Sequence, residues 1–204
     1  TFNTKDIAYF APQVRGMDNE LLFSAHVDGP INNLNINDLH AKYKDTTYIN
    51  GNLSFKNIPD FFNAEIAAHL EECTVDMNEL SDFMLPGART IPIPALAKKL
   101  NVAVLDVDYN GILSKKITAD IKLKTPAEHL VTKLESQSVD DGSINYHLEA
   151  QSNGINISKF VPQANPIGNT VFDMEASGNV DLHDFLATLT ADVVAQFSHI
   201  NIKN

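Results

Sequence analysis

Tryptophan is absent from this 204-residue chain, and cysteine occurs once. A lone Cys73 excludes an intramolecular disulfide and a thiolate metal cluster. Its neighbours are Glu71 and Glu72, and carboxylates raise a thiol pKa rather than activate it, so Cys73 reads as a buried structural residue. Basic residues are scarce: 15 Lys and Arg stand against 26 Asp and Glu, a formal net charge of -11. That balance leaves no basic stripe for nucleic acid and disfavours docking on anionic lipid headgroups. No apolar run is long enough to span a bilayer as a helix, and no charged n-region precedes an apolar h-region. The chain begins with Thr1 and reads as a mature secreted protein or as an excised piece. Nucleophile elbow, P-loop and dinucleotide fingerprint are all missing.

Period-2 alternation is what the chain has in abundance. In VAVLDVDYNGIL, Val107, Tyr109 and Gly111 share one face and Asp106, Asp108 and Asn110 the other. KKITADIKLK sets Ile117, Ala119, Ile121 and Leu123 against Thr118, Asp120, Lys122 and Lys124. VFDMEASG does the same with Phe172, Met174 and Ala176, and INYHLEAQ with Ile144, Tyr146, Leu148 and Ala150. ATLTADVVAQF places Leu189, Ala191, Val193, Ala195 and Phe197 together, and residues 20–28, 46–55 and 62–72 follow suit. The count is eight to ten strands with one apolar and one polar face each, the signature of antiparallel sheet with a solvated side. Asp28-Gly29, Asn50-Gly51, Asn110-Gly111, Asp141-Gly142, Asn153-Gly154 and Ser177-Gly178 read as hairpin turns, some of them as bulges.

One six-residue phrase recurs: LNINDL at 34–39, VDMNEL at 75–80, INISKF at 155–160 and VDLHDF at 180–185. Its apolar residues at i and i+2 finish the inward face of a strand, the Asx between them bonds a backbone N–H ahead, and the last Leu or Phe folds over the sheet end. Helix is minor. Asp76 and Glu79 form a capping-box-like pair, Leu80, Phe83 and Met84 follow at helical spacing, and Pro86-Gly87 stops the run. PALAKKL and KDIAYF are two further short helix candidates. Repeat-like segments with glycines at 29, 111 and 178 give one β-repeat region over 1–204, with pseudo-repeats at about 19–86, 100–166 and 170–204. The last is cut short, which suggests a fragment of a larger protein.

His147-x-Glu149, His69-x-Glu71 and His26-x-Asp28 each pair two potential ligands on a strand face. None has a third ligand nearby, and these are the solvated faces, so the expectation is no metal and no cofactor. His183-Asp184 lies inside a repeat phrase whose other copies carry Asn-Glu, Asn-Asp and Ser-Lys, which argues against catalysis. Asp106/Asp108 and Asp140/Asp141 read as solvation and turn chemistry rather than acid–base pairs. The tract PGARTIPIPALAKKL reads as an apolar lip on a sheet edge or as a linker between repeats.

The stretch DIAYFAP, then RGM, VDGPINNLNINDL, GNLSF and NIPD resembles the repeated middle region of TamB-type translocation and assembly module proteins, of the AsmA-like superfamily, in Bacteroidetes. The likeness covers about residues 5–80 closely and the rest loosely. It implies a mainly β fold: curved antiparallel sheet of repeated hairpins forming a groove or taco-like half-barrel, with two or three short helices. It implies a non-enzymatic protein of the Gram-negative periplasm, whose parent is anchored in the inner membrane by a segment outside this chain. The implied partners are phospholipid acyl chains, conducted between membranes, or outer-membrane assembly machinery, and no nucleic acid. The groove-facing candidates, chosen from alternation alone, are Val107, Tyr109, Ile117, Ile121, Phe172, Met174, Leu189 and Val193. The groove-end or lip candidates are Leu80, Phe83, Met84, Ile91 and Ile93. The competing reading is a closed β-sandwich adhesin or ligand-binding module whose apolar faces pair into a dry core; a hydrolase is the least supported.

Overall fold

The structure, a computed structural model, describes residues 2–7, 15–58, 63–85, 87–91, 93, 98–112, 114–125, 128–139, 142–160, 167–181 and 188–202. Its strands are β1 (Phe2–Asn3), β2 (Glu20–Asp28), β3 (Asn33–Tyr43), β4 (Thr47–Lys56), β5 (Glu65–Asp76), β6 (Met84–Leu85) and β7 (Arg89–Thr90). They continue as β8 (Val102–Ile112), β9 (Lys116–Lys124), β10 (His129–Ser138), β11 (Ser143–Asn156), β12 (Ile167–Asp181) and β13 (Asp192–Ile202). Three short helices are described: α1 (Thr4–Ile7), α2 (Met77–Asp82) and α3 (Ile157–Phe160). Eleven strands form one antiparallel sheet in the order β1-β2-β3-β4-β5-β8-β9-β10-β11-β12-β13, and β6 with β7 makes a separate two-stranded ribbon. The sheet is an open meander: its neighbours in space are neighbours in sequence, except where α2 and the ribbon intervene between β5 and β8. The mainly β, antiparallel architecture expected from the alternation is what the chain adopts, in the open form that the resemblance implies.

A sheet this wide needs both twist and relief of strain, and bulges supply them. Asp38 in β3 and Glu72 in β5 take the left-handed conformation, with φ of 52° and 49°. Register with the next strand shifts at both points, between Ile36 and Leu39 and between Leu70 and Cys73. Each displaced N–H finds a side chain on that next strand. Asp38 N donates to Asn52 Oδ1 at 3.0 Å, and Glu72 N donates to Asp106 Oδ1 at 2.9 Å. The inserted residue also resets the alternation, so that Leu39 and Cys73 resume the face left by Ile36 and Leu70.

Several turn expectations are corrected. Gly29 lies in a bend with φ of 95°, but Gly51, Gly111 and Gly178 lie inside β4, β8 and β12, while Gly154 sits in β11 at a register shift between Asn153 and Ile155, one of the bulges expected. The reason at Gly51 is close approach of two backbones: a Cβ there would stand 2.1 Å from the His69 carbonyl oxygen and 2.8 Å from Leu70 Cα. Glycine therefore serves strand contact there, not chain reversal. The recurring phrase is corrected too. VDMNEL and INISKF do carry β5 and β11 out into α2 and α3 at the same rim of the sheet, and VDLHDF begins at the end of β12. LNINDL instead runs through the interior of β3, across its bulge. The PALAKKL helix falls mostly outside the described residues, as do Pro86 and residues 182–187 of the VDLHDF segment.

The α2 segment closes one rim. Asp76 caps the helix, accepting from Asn78 N at 2.8 Å and Glu79 N at 3.3 Å. Glu79 does not return to the cap as a capping box would. Its carboxylate reaches the β3–β4 turn and accepts from Asp45 N (3.1 Å), Thr46 N (3.0 Å), Thr47 N (2.8 Å) and Thr47 Oγ1 (2.7 Å). Lys44 Nζ meets Asp82 at 2.5 Å, and Phe83 stands edge-on to Tyr43 with ring centroids 5.2 Å apart. Behind them Val75, Met77 and Ala103 form a buried cluster on which Leu80, Ile93, Leu100 and Leu105 pack. Asn19, 1% exposed, mimics a strand residue by pairing with both the N–H and the carbonyl of Met84, each at 2.8 Å.

Desolvation works to raise the Glu79 pKa, but the Thr47 hydroxyl and the three backbone N–H groups outweigh it and hold the carboxyl below its ordinary value. A depressed folded pKa contributes stability above the unfolded value, about 4.3 for Glu, and loses it as pH falls through the folded value. Glu79→Gln should therefore cost about 1–2 kcal/mol at pH 7, given hydrogen bonds to a partly exposed charge. Urea melts at pH 7 and pH 3 check this: the gap between variant and wild type should close at the lower pH.

Candidate functional site

Register across the sheet builds the site. Directly opposed residues of an antiparallel pair share a face, so the ladder can be followed strand by strand. Val27 faces Ile36, and Ile36 faces Leu53, then come Ala68, Tyr109, Ala119, Leu134, Leu148, Ala176 and Val193. This row crosses β2 to β13 without one polar residue. Ten strands about 4.8 Å apart make it roughly 43 Å long. A parallel row runs Leu39, Gly51, Leu70, Val107, Ile121, Thr132, Ala150, Met174 and Ala195. Another joins Cys73, Leu105, Leu123, Leu130, Ser152, Phe172 and Phe197. On the far side of the first row lie Leu34, Phe55, Ile66, Gly111, Ile117, Ser136, Tyr146 and Gly178.

Seven of the eight groove candidates fall on this one face: Val107, Tyr109, Ile117, Ile121, Phe172, Met174 and Val193. Leu189 does not. β13 begins only at Asp192, and Leu189 lies in the segment before it, where Thr190 N bonds the Asn179 carbonyl at 2.9 Å and Thr190 O accepts from Tyr146 Oη at 2.7 Å. Among the lip candidates, Leu80 and Ile93 pack against the buried cluster at the α2 rim, Phe83 against Tyr43, and Met84 sits in β6 bonded to Asn19. Ile91 is partly exposed just beyond β7. These residues cover one end of the apolar face rather than its length.

The face is not sealed. Ala119, Ala150 and Ala176 are buried between larger neighbours, while Leu53, Tyr109, Leu134, Leu148, Ile121, Phe172 and Met174 remain partly exposed. The accessible surface of the chain is 12631 Å². A compact monomer of 22.4 kDa would show roughly 9,400 Å². The excess of about a third is what an uncovered sheet leaves, and the described residues form no second large sheet to make a sandwich.

The opposite face is polar and carries its own depressions, one of about 400 Å³ lined by Asn35, Asn37, Asn52, Ser54, His69, Asp108, Asn110 and Asp120 among others. Short side chains there leave room that Lys or Glu would fill. Asp108 stands directly opposite Asp120, a like-charge pair that costs stability in a sheet, and His69 offsets it by bonding Asp108 through Nδ1 and Glu71 through Nε2. His147 similarly joins Ser177 at 2.8 Å and lies 3.6 Å from Glu149. Among the described residues no group of three or more His, Cys, Asp or Glu side chains has metal-holding geometry. His183, Asp140 and Asp141 lie outside the described residues. Cys73 is 2% exposed, and burial, then the charge of Asp106 on the neighbouring strand rather than the adjacent Glu71 and Glu72, pushes its thiol pKa up.

The sequence reading missed two parts of the face. β10 was not read as a strand, because Thr132 and Ser136 point to the apolar side and Val131 to the polar one, which blurs the contrast. β3 escapes the count of alternating strands because the bulge at Asp38 breaks its period after Ile36. The signal for both was present in the neighbours: an antiparallel meander needs a return strand between β9 and β11.

The hydrogen bond that Asp108 accepts from the imidazole, then its charge, raises the His69 pKa above the ordinary imidazole value, and Glu71 adds to the effect. Folded-state NMR titration should place the His69 midpoint above the ordinary imidazole value, and Asp108→Asn should bring it down. An unchanged midpoint in the variant would mean that the two side chains are not paired. No family model matches this chain, no curated protein matches it, and no solved structure matches it.

Proposed function

We propose that this chain is a non-enzymatic lipid-handling element of the Gram-negative envelope, whose apolar sheet face shelters phospholipid acyl chains in passage between membranes. The reading joins the resemblance of residues 5–80 to TamB-type proteins with one observation: the apolar row from Val27 to Val193 that stays uncovered along the sheet. An uncovered apolar face of this extent requires a cover of some kind, whether protein, lipid or a second copy. Acyl chains suit it because it is continuous, unbranched and without polar anchors along its spine. Its length of roughly 43 Å exceeds the ~15 Å hydrocarbon depth of one leaflet, so a tail can lie along it.

The energetics favour passage over storage. Full burial is worth about 0.8 kcal/mol per CH₂, and a tail covered on one side only gains roughly half of that. Such binding is reversible and has the same strength at every step along a uniform row. Nothing in this requires a covalent step, and the side chains on the face, aliphatic and aromatic with a few hydroxyls, offer no acid–base pair. Leu80, Phe83 and Ile93, on the α2 rim, would cover part of one flank of the path, so that tails enter along the open face.

Mass spectrometry of an organic extract of protein purified without detergent tests the proposal. Phospholipid should be present at near 1:1 in wild type and fall several-fold in Ile121→Glu, a central position of the apolar face. Val131→Glu, on the polar face of the neighbouring strand β10, should leave the lipid content unchanged in an equally stable protein. A lipid-free wild type, with apolar dyes also failing to bind, would remove the lipid-handling reading.

A further inference from the structure

β13 is the last strand of the sheet, and little protects it. All 11 of its positions are exposed. It is apolar on both sides: Val193 and Phe197 lie on the apolar face, while Val194, 67% exposed, lies on the polar one. Natural edge strands are guarded by charge, proline or covering structure. β13 has one carboxylate, Asp192, at its start, and no Lys, Arg or Pro. Among the described residues its hydrogen bonds are those of the ladder to β12, and its one ring contact is Phe197 with Phe172.

The backbone groups that this leaves over can be assigned. Thr190 N bonds the Asn179 carbonyl, and Asp192 opposite Ser177 continues the same register. Hydrogen-bonded and non-hydrogen-bonded pairs alternate along an antiparallel ladder. Asp192, Val194 and Gln196 therefore turn their N–H and C=O toward β12, and Val193, Ala195 and Phe197 turn theirs outward. The outer edge presents the backbones of the apolar-face residues as far as Ser198. There the register shifts: Phe172 faces Phe197, but Val171 faces His199. The shift puts His199 on the polar face, where Asp192 also lies.

This edge fits itself. A second copy given half a turn about an axis normal to the sheet at Ala195 sets its β13 antiparallel to the first, with both apolar faces on the same side. Ala195 then opposes Ala195 and Val193 opposes Phe197. These pairs exchange the outward N–H and C=O groups, about six hydrogen bonds in all. On the polar face Val194 opposes Gln196, whose stem covers it. With Ser198 bulged on this side as on the other, Asp192 opposes His199 of the second copy. Neither has an ion-pair partner in its own chain among the described residues. Across the contact the carboxylate accepts from the imidazole N–H, and the symmetry gives this twice. We infer that the chain forms a two-fold dimer through β13, centred on Ala195, which joins two sheets into one with a continuous apolar face. The contact is isologous and closes on two copies. A second copy, rather than an unrelated strand, is the occupant because a single register matches strand direction, face and the Asp192–His199 pair at both ends. The joined face is about 90 Å long, from twenty strands in one sheet.

Sedimentation velocity of the purified protein over a hundredfold range of concentration tests the proposal. The expected result is a monomer–dimer equilibrium with nothing larger. Asp192→Lys should weaken the dimer about tenfold by setting a cation against His199 at two places. Adding His199→Glu to that variant should restore it, because the pair is then present with its charges exchanged. For register, Ala195→Cys should cross-link to itself on mild oxidation, the Cα atoms of such an opposed pair being about 5.5 Å apart. Ile202→Cys should not, since its two copies stand roughly 40 Å apart across the axis. Native Cys73 is buried and does not compete. A monomer at the highest concentration would overturn the proposal. So would an open series beyond the dimer, a double variant as weak as Asp192→Lys alone, or equal cross-linking at positions 195 and 202. These assays read mass and cross-links, and lipid content is read separately by extraction, so this proposal and the lipid-handling one fail independently.

Discussion

Register is the constraint on which this molecule depends. In a β-strand a slip of one residue exchanges the two faces completely. Here the exchange would have to be avoided at nine successive strand pairings for the row from Val27 to Val193 to exist. Each pairing is specified by the same contrast: one side of each long strand is mostly aliphatic, the other Asn, Asp, His, Lys or Glu. Slipping β9 by one would put Asp120 against Tyr109 and Ile121 against Asp108, losing apolar contact and stranding a carboxylate at once. The apolar face is thus both the feature available for binding and the reason the sheet has a single register.

A perfectly regular ladder of this width would coil on itself, and the structure avoids that by breaking the ladder where the polar side can absorb the break. Asp38 and Glu72 both adopt left-handed backbone, a conformation costly for a non-glycine residue. Both have their N–H caught by a short oxygen-bearing side chain one strand over, Asn52 or Asp106. Asn and Asp are poor strand residues by propensity, so their presence at these positions is explained by the bulges they serve. The α2 rim uses the same device on a larger scale. Glu79 gathers the N–H groups of the β3–β4 turn, which no ladder partner would otherwise satisfy.

How much of this was legible follows from where the periods are clean. β8, β9, β11 and β12 alternate without interruption over most of their length, and they supplied six of the seven groove candidates that the sheet brings together. Val193 supplied the seventh because β13 alternates from Asp192 to Phe197, but the alternation was extended three residues too far back, to Leu189. Nothing in ATLT distinguishes a strand from a segment that merely alternates; Thr190 still bonds Asn179, in the register that Ser177 and Asp192 set, without β13 extending back to Leu189. Glycine misled in the opposite direction. Asn-Gly and Ser-Gly are turn dipeptides by conformational preference, yet at Gly51 and Gly178 the deciding fact is a neighbouring backbone closer than a Cβ allows, to His69 and to Thr190. That proximity is a property of the assembled sheet.

The open state of the sheet is itself informative, because closing was available. Eleven strands are enough for a barrel or for a sheet that folds into two layers. Closure would need β2 and β13 of the same chain to meet, or a second layer to cover the row; the strand order is open, and the described residues form no second large sheet. What keeps the sheet open is visible in the side chains along its spine. The row sets Ala68, Ala119 and Ala176 beside Ile36, Leu53, Leu134 and Leu148, giving a surface of modest relief that fits a flexible apolar chain as readily as a rigid facing sheet. A protein core at interior density needs facing knobs for such hollows, and none of the described elements supplies them except at the α2 rim, where Leu80 and Ile93 do. The contrast between that one packed end and the uncovered length is the strongest physical argument that the face is kept for something outside the monomer.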